Sequence, residues 1–239
     1  MVDVLAIRDL EAGYGPLHVL FGITTSYQKE AITAIVGPNG SGKSTLLKTI
    51  FGLTRVFRGQ ITFDGRDITG RPPHQISRLG IAYLPQTDNV FANLTVRENI
   101  AMATYGMRKE EASERIEEVK SFLPVIERYW NRKAGSLSGG ERQMVAMGMA
   151  LIRRPKVILF DEPTANLSPK FAKIVLEQIV RLRDDLRITV LLVEQNALRA
   201  LEHGDRAQLL VSGQLVYDGP ARDLLENREL GRLYLGLRS

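Results

Sequence analysis

Short apolar runs separated by polar turns dominate the hydrophobic pattern of this chain. Three of the densest runs, each as long as a single strand, lie at residues 157–160, 189–193 and 209–211. Residues 169–184 are predicted to form a helix, because Ser168 is a favourable N-cap and Pro169 a favourable first helical residue. Strands that alternate with helices in this way predict an α/β fold with a mostly parallel sheet.

The first third of the chain predicts further strands and one early helix. Residues 4–10 and 19–27 are predicted strands around a glycine turn, so we expect an N-terminal antiparallel β part. Residues 31–36 form a short apolar strand, and a helix is expected over about residues 42–51. Further predicted strands lie at residues 60–63, 81–84, 207–211 and 214–217. The last two flank residues 212–213, a Ser-Gly pair typical of a hairpin turn.

The middle of the chain differs from what surrounds it. Residues 87–134 are predicted to be a mostly helical insert within a single domain that spans residues 1–239. Thr95 and Glu98 have the spacing of a capping box at a helix start. Residues 108–122 are highly charged, with apolar residues at helical spacing. After the insert, strands and helices alternate again.

Composition narrows the class of protein. Hydrophobic residues make up 44% of the 239 residues, and no stretch has the roughly 18 to 20 consecutive apolar residues of a membrane-spanning helix. The absence of cysteine excludes disulfides and thiolate metal sites. Residues 1–20 lack a secretory pattern, so we expect a cytoplasmic location. The net charge of +5 is mild, and without a basic tract or an aromatic-basic ladder we expect no nucleic acid partner.

One segment matches the phosphate-loop pattern G-x-x-x-x-G-K-[ST] in full, and its residues are Gly37, Pro38, Asn39, Gly40, Ser41, Gly42, Lys43 and Ser44. Its glycines allow backbone N–H groups to converge on phosphate oxygens, and the following helix presents its positive N-terminus to the same anion. Lys43 is expected to reach the β- and γ-phosphates, Ser44 to ligate Mg²⁺ and Thr45 to belong to the same site. An ordinary glycine-rich turn is the alternative, but an apolar strand precedes the match and an apolar helix follows it.

Two acids, Asp161 and Glu162, follow the apolar strand predicted at residues 157–160. Ligands of doubly wound sheets bind at the carboxyl ends of strands. Asp161 is therefore expected to hold Mg²⁺, and Glu162 to orient or polarise the attacking water. An Asp-Glu pair after a strand is also a common surface turn, and it is the complete phosphate loop that favours the catalytic interpretation.

A third motif lies between these two sites and reads Leu137-Ser138-Gly139-Gly140-Glu141-Arg142-Gln143. It resembles the LSGGQ signature of the ABC ATPase family, with Glu141 in place of the commonest Gln, and the order of the three motifs is similar to that family. The resemblance implies a P-loop ABC ATPase core that binds ATP with Mg²⁺ and hydrolyses it. It also implies a head-to-tail pair of domains, in which Ser138, Gly139 and Gly140 of one close on the γ-phosphate held by the other. Ser138 and Glu141 also have capping-box spacing, which is compatible with that role.

The resemblance assigns roles to single positions as well. Tyr14 matches the aromatic residue that stacks on adenine, and Gln86 matches the glutamine that senses Mg²⁺ and links to the helical insert. Gln195 takes the place of the family's switch histidine and is expected to contact the γ-phosphate, since an amide can donate to phosphate and accept from water. Ser168 stands where most members have Asp. The alternatives are a tyrosine packed on a turn for Tyr14 and solvated loop amides for Gln86 and Gln195.

A closer similarity is to the ATP-binding subunits of branched-chain amino acid importers, and it rests on Glu141 and on residues 90–99, 192–197 and 234–236. Importers of urea or other small polar solutes have similar subunits, so another small polar solute is the alternative. This similarity implies transmembrane permease subunits and a second, identical or related ATP-binding subunit as partners. It also implies a peripheral position on the cytoplasmic face of the cell membrane. The surface of the insert is then expected to hold an apolar-rimmed groove for helices of the permeases.

Two other functions are compatible with an ABC ATPase core. One is a non-transport ABC ATPase that clamps nucleic acid or the ribosome, but such proteins usually carry long coiled coils or tandem ATPase domains. The other is a nucleotide-binding scaffold without turnover. The intact phosphate-loop lysine and serine and the two acids after the strand argue against the scaffold.

Overall fold

A computed structural model describes residues 3–87, 89–227 and 229–230 of the chain. These residues form ten strands and nine α-helices. The strands are β1 (Asp3–Tyr14), β2 (Leu17–Gln28), β3 (Ile32–Val36), β4 (Arg55–Phe63), β5 (Arg66–Asp67), β6 (Ile81–Leu84), β7 (Val157–Asp161), β8 (Thr189–Val193), β9 (Arg206–Val211) and β10 (Gln214–Pro220). The helices are α1 (Lys43–Ile50), α2 (Pro73–Leu79), α3 (Val96–Ala103), α4 (Lys109–Phe122), α5 (Pro124–Arg128), α6 (Gly139–Leu151), α7 (Pro169–Asp184), α8 (Ala197–His203) and α9 (Ala221–Glu226). The sequence motif at 234–236 lies outside the described residues.

The larger sheet has six strands in the order β10-β9-β3-β8-β7-β6. All neighbours in it are parallel except β10 with β9, which confirms the mostly parallel sheet. Every residue of β3, β7 and β8 is buried, as expected for parallel strands covered on both faces. Because these three strands are neighbours with one direction, the loops that follow them meet at one edge of the sheet. The phosphate loop, Glu162 and Gln195 lie at this edge, and Asp161 ends β7 at the same edge.

The smaller sheet is antiparallel, as predicted, with the order β2-β1-β4-β5. Its first strand is longer than the sequence pattern indicated, since β1 continues to Tyr14 and the turn falls at Gly15 and Pro16. The cause is pairing on both sides, because β2 and β4 both continue alongside β1 beyond residue 10. The strand predicted at residues 60–63 likewise begins earlier, at Arg55.

The two sheets are joined by a hairpin and by buried polar side chains. Ser212 and Gly213 between β9 and β10 both have positive φ, 49° and 78°, which confirms the predicted turn as the kind that suits a two-residue hairpin. The carbonyl of Gly213 accepts a hydrogen bond from Phe21 N of β2 at 2.9 Å. In addition, the hydroxyl of Tyr27 on β2 donates a hydrogen bond to Gln208 Oε1 on β9 at 3.0 Å.

The predicted helical insert contains α3, α4 and α5. Its capping box is present, because Glu98 N donates to Thr95 Oγ1 at 3.2 Å and Thr95 N donates to Glu98 Oε2 at 2.7 Å. Each of these helices contributes apolar side chains to the buried cluster that α6 also enters, among them Ile100 of α3, Val119 of α4 and Ile126 of α5. The insert therefore packs on α6, the helix that begins in the signature motif. Its limits at residues 87–134 stay a prediction.

Three short helices were not predicted from the sequence pattern. These helices, α2, α8 and α9, have seven, seven and six residues, too few to show a helical period. The long helix α7 begins at Pro169 with Ser168 as N-cap, as predicted, although none of the described backbone groups makes a capping hydrogen bond to the Ser168 side chain. In the part of the chain that the structure describes, no helix combines the length and the apolar composition needed to cross a membrane.

Candidate nucleotide-binding site

The phosphate loop connects β3 to α1 in a conformation that two of its glycines make possible. Gly37 has a φ of 146° and Gly42 has a φ of 101°. A Cβ at Gly37 would lie 2.0 Å from the carbonyl oxygen of Leu210, and a Cβ at Gly42 would lie 2.8 Å from Leu20 Cδ2. A side chain at Gly37 would collide with the backbone, and at both positions the positive φ is one that residues with a Cβ rarely adopt. The sequence thus places the N-terminus of α1 directly after a tight loop of N–H groups.

A cavity of about 460 Å³ opens at this loop, which is within the range of small-molecule sites. Most of the residues predicted for the site line it, together with Val19, which sequence reasoning missed. The lining consists of Val19, Asn39, Gly40, Gly42, Lys43, Ser44, Thr45, Gln86, Glu162 and Gln195. Val19 belongs to the antiparallel sheet and carries no motif, so only the packing of that sheet against the loop could reveal it.

Lys43 and Ser41 supply polar groups inside the loop. Lys43 Nζ donates to the carbonyl oxygens of Gly37 and Pro38 at 2.9 and 2.8 Å. Burial lowers the pKa of Lys43, and the charges of Glu162 and Asp161 oppose that shift. Ser41 Oγ is buried and has no hydrogen-bond partner among the described atoms. An ammonium group and an unsatisfied hydroxyl in a loop of N–H groups suit a polyphosphate, so these residues fit ATP.

Asp161 accepts two side-chain hydrogen bonds beside the cavity. Ser44 Oγ donates to Asp161 Oδ1 at 2.6 Å, and the hydroxyl of Tyr83 donates to Asp161 Oδ2 at 2.9 Å. Burial and the charge of Asp161 raise the pKa of Tyr83. Hydroxyl and carboxylate oxygens are the ligands that Mg²⁺ prefers, so the donor set fits this metal. Tyr83 was not predicted from sequence, although it lies on β6, which pairs with the strand that ends in Asp161.

Gln86 contacts Glu162, a pairing that the sequence did not predict. Gln86 Nε2 donates to Glu162 Oε2 at 2.9 Å. Gln195 follows β8, lines the same cavity and is exposed. Asn196 has a separate structural task, since its side chain accepts a hydrogen bond from Arg199 N at 3.1 Å and caps α8. The structure therefore gathers Gln86, Glu162 and Gln195 at one cavity.

Tyr14 and the signature residues lie outside the lining of this cavity. Tyr14 ends β1 with 42% of its surface exposed. Ser138 and Glu141 form the predicted capping box of α6, with Ser138 N donating to Glu141 Oε2 at 2.7 Å. Hydrogen bonding to Tyr129, together with the capping contacts to Ser138, lowers the pKa of Glu141. Glu141 thus makes the capping contact for which either Glu or Gln is suited.

A second concavity, which we call the apolar groove, has a volume of about 270 Å³ and lies between β6, α6 and the insert. Its walls include Phe51, Tyr83, Ala103 and Met149. Of its lining, only Asn89 and Ala103 come from residues 87–134. Four of its lining residues belong to β6 and three to α6, so this groove lies only partly on the insert. The expectation of an apolar-rimmed groove on the surface of the insert stays a prediction, and a further concavity partly lined by residues 123–129 supports it.

The sequence matches known proteins over most of its length. A family model described as ABC transporter matches residues 20–165. A probable branched-chain amino acid transport ATP-binding protein LivF of Archaeoglobus fulgidus is 56% identical over 228 residues, which are 95% of this chain and 97% of that protein. The high-affinity branched-chain amino acid transport ATP-binding protein BraG of Pseudomonas aeruginosa is 36% identical over 98% of this chain and 100% of the relative.

Solved structures have the same fold. MJ1267, described as an ATP-binding cassette of an ABC transporter, is similar with a TM-score of 0.89 at 28% identity, over 100% of both chains. The cassette MJ0796, solved as a dimer in a post-hydrolysis state with ADP and Pi, has a TM-score of 0.76 at 26% identity, over 91% of this chain and 99% of that chain. Together with the family match, these similarities show that the chain belongs to the ABC transporter family, as one of its ATP-binding proteins.

Proposed function

We propose that this chain is the ATP-hydrolysing subunit of an importer for branched-chain amino acids. The observation that carries the proposal is the convergence of Lys43, Ser44, Gln86, Glu162 and Gln195 on one cavity. Phosphoryl transfer to water needs little covalent chemistry from a protein and depends on positioning and on charge stabilisation, which groups of this kind supply. Branched-chain amino acid transport by the LivF and BraG relatives supports branched-chain amino acids as the transported class.

The phosphates of ATP would be held by the loop between β3 and α1. Backbone N–H groups of residues 37–45 and the positive end of α1 bind phosphate oxygens. Lys43 adds a charge-assisted donor to the β- and γ-phosphates, and Ser41 Oγ gains the partner that it lacks among the described atoms. Tyr14, exposed at the end of β1, would stack on the adenine ring.

Ser44 and Asp161 would hold Mg²⁺, with Gln86 as a third candidate ligand. When bound, the metal neutralises charge on the phosphate oxygens. The 2.6 Å contact between Ser44 Oγ and Asp161 Oδ1 already brings two oxygen ligands together. Gln86 bridges to Glu162 in this structure, so the same amide connects the metal site to the proposed catalytic carboxylate.

Glu162 and Gln195 would handle the attacking water. Glu162 orients or polarises the water, and Gln195 donates a hydrogen bond to the γ-phosphate while accepting one from the water. An amide does not titrate near neutrality, so Gln195 would act by position alone.

A second ATP-binding subunit would complete the site. Ser138 caps α6, Gly139 and Gly140 are its first two residues, and all three lie outside the lining of the cavity. Packed head to tail, the α6 N-terminus of one subunit would close on the γ-phosphate of the other. A dimeric neighbour with ADP and Pi supports this arrangement. The proposal covers a homodimer and a pair of related subunits alike.

Permease subunits on the cytoplasmic face of the membrane would insert helices into the apolar groove. The groove adjoins the ATP site through Tyr83, which lines the groove and contacts Asp161. Closure of the nucleotide site could therefore be transmitted to the permeases through β6 and through the insert, residues 87–134.

The test is co-purification and reconstitution. The tagged chain is isolated from its native membranes with whatever co-purifies, placed in liposomes, and assayed for ATP-dependent leucine uptake. The expected result is permease subunits in the complex and leucine accumulation only with ATP. Recovery of nucleic acid or ribosomes would favour the clamp function, and ATP binding without turnover would favour the scaffold.

Two matched variants test coupling in the same liposomes. Ala103→Glu places a charge in the apolar groove, whereas Ala101→Glu places it two residues away on an exposed and nearly opposite face of α3. We expect Ala103→Glu to abolish uptake and retain basal ATPase activity, and Ala101→Glu to retain both. Equal effects of the two variants on uptake would contradict the role of the groove.

A further inference from the structure

Glu194 is a buried carboxylate with one dominant partner. It follows β8, precedes Gln195, and is 2% exposed. One of its oxygens accepts a hydrogen bond from the backbone N–H of Thr164 at 3.0 Å, and the other accepts from the Thr164 hydroxyl at 2.9 Å. A buried carboxylate is costly unless it is hydrogen-bonded. The two-point contact with Thr164 is therefore the interaction that holds this side chain in place.

The contact joins the two loops that carry the proposed catalytic side chains. Thr164 lies two residues after Glu162, and Glu194 lies one residue before Gln195. The strands before these loops, β7 and β8, pair in parallel. The N–H of Glu162 also donates to the carbonyl of Val193 at 2.9 Å. The segment around Glu162 is thus fastened to the neighbouring loop at Glu162 itself and again two residues later.

This double attachment explains an unfavourable backbone conformation. Glu162 has a φ of 51°, in the left-handed region that residues with a Cβ rarely adopt. Such a conformation persists only where the surroundings over-determine it. Here the surroundings include the bond to Val193, the anchor of Thr164 on Glu194, and a hydrogen bond of 3.1 Å from Ala165 N to the Glu162 carbonyl. Without the anchor, Glu162 can relax to an ordinary φ, and the direction of its side chain changes.

We infer that Glu194 is a positioning residue for ATP hydrolysis, which holds Glu162 in place relative to Gln195 by anchoring Thr164. The inference rests on the proposed function and deepens it. Glu194 is not among the residues that line the cavity, so it acts through its neighbours. Its effect on turnover follows from geometry, since a displacement of about 1 Å in a catalytic group can lower a rate roughly a hundredfold.

The ionisation of Glu194 is compatible with this role. Burial raises its pKa to about 7 and the charge of Glu162 adds to the rise, while hydrogen bonds from Thr164 and from the backbone of Gln195 oppose it. A protonated carboxyl group can donate to the Thr164 hydroxyl and still accept from the Thr164 N–H. A glutamine amide can make the same two contacts. The anchor is therefore available in both protonation states and in a Glu194→Gln variant.

The experiment compares steady-state ATP hydrolysis in matched variants of the full chain. Glu194→Ala is expected to lower kcat about 10- to 100-fold and to leave KM and the Kd for ATP unchanged, because no group that touches the nucleotide is lost. Glu194→Gln is expected to restore most of the turnover. Tyr27→Phe removes a buried hydrogen bond of 3.0 Å outside the cavity and is expected to keep the wild-type kcat.

A double-mutant cycle separates the anchor from a general loss of stability. Thr164→Val, which keeps the N–H and removes the hydroxyl, is expected to lower kcat less than Glu194→Ala. The pair Glu194→Ala and Thr164→Val is expected to lose no more than Glu194→Ala alone, because both act through one contact. The inference is overturned if the losses of the two variants are additive. It is also overturned if both Thr164→Val and Glu194→Ala keep the wild-type kcat, or if kcat and ATP affinity fall in parallel. If Glu162→Gln stops turnover and Glu194→Ala does not, the proposed function stands and the inference falls. Absence of turnover in the wild type overturns both.

Discussion

The hydroxyl of Tyr83 donates a hydrogen bond to Asp161 Oδ2 at 2.9 Å, while Ser44 donates to the other oxygen of the same carboxylate. Tyr83 also lines the apolar groove, where the centroid of its ring lies 5.6 Å from the ring centroid of Phe51. One side chain thus touches both the proposed metal site and the proposed permease site.

Tyr83→Phe removes a hydrogen bond to a buried carboxylate and keeps the ring in the groove. We expect the free energy of unfolding to fall by about 2 kcal/mol, the usual value of a hydrogen bond to a charged group. We also expect a higher Mg²⁺ concentration at half-maximal ATPase activity, because Asp161 loses one of the two bonds that orient it. Urea unfolding and a Mg²⁺ titration measure the two effects. A Mg²⁺ dependence identical to that of Tyr27→Phe, a tyrosine outside the cavity, would contradict the second.

Lys43→Ala is expected to weaken ATP binding strongly. A charge-assisted hydrogen bond contributes about 1.5 to 3 kcal/mol, which corresponds to a loss of affinity of roughly 10- to 100-fold. Isothermal titration calorimetry measures it. The control is Lys48→Ala, which removes the same charge from the same helix outside the cavity lining. Equal ATP affinity in the Lys43 variant and the wild type would remove the phosphate-loop assignment.

Glu162→Gln is expected to retain nucleotide binding and to slow hydrolysis sharply, because an amide polarises the attacking water less than a carboxylate does. With ATP present, the variant should accumulate as a dimer in light scattering, since hydrolysis no longer reopens the pair. Glu202→Gln, at an exposed position on α8, serves as the control and should behave as the wild type. A monomeric Glu162 variant with full turnover would rule this residue out of the mechanism.

Gln195 is expected to act as a positional sensor of the γ-phosphate. Gln195→Ala should reduce turnover well beyond any change in ATP binding, while Gln195→His should retain much of it and acquire a pH dependence near the pKa of histidine, about 6.5. Turnover measured across a pH series, together with the Kd for ATP, distinguishes the two variants from each other and from the wild type. Hydrolysis at the wild-type rate in Gln195→Ala would contradict the sensor role. The attacking water would then be held by Glu162 and by the partner's signature motif alone.

We expect Glu194 to make the free energy of unfolding depend on pH. Its pKa is raised from 4.5 to about 7 in the folded state, chiefly by burial. Between these values the folded protein keeps a proton that the unfolded chain releases, so the free energy of unfolding falls as pH rises. The stabilisation is complete below the unfolded pKa and is lost as pH passes the folded pKa, a change of about 3 kcal/mol. Urea unfolding across this range should show the component in the wild type and not in Glu194→Gln. Parallel curves for the two proteins would contradict it.

Much of this protein was predictable because the relevant patterns are local. The phosphate loop is a run of eight consecutive residues whose glycines and lysine specify a loop conformation and a ligand together. The capping boxes at Thr95 and Ser138 need only four residues each, and both are present. The strands β7 and β8 contain continuous apolar runs, a pattern typical of strands that are buried on both faces of a sheet.

Tertiary structure decided which side chains meet. Tyr83 contacts Asp161 from 78 residues away, Gln86 contacts Glu162 from 76 residues away, and Glu194 anchors Thr164 from 30 residues away. Each residue type is ordinary for its local position, so no short pattern marks it.

The physical reason is that these contacts depend on the order and register of parallel strands. Two loops become neighbours only when their strands pair side by side, as β7 does with β6 and β8. That order is set by packing of helices on both faces of the whole sheet. The sequence by itself therefore determined the elements and the phosphate-binding chemistry, while the assembled sheet determined how Asp161, Glu162 and Gln195 are held.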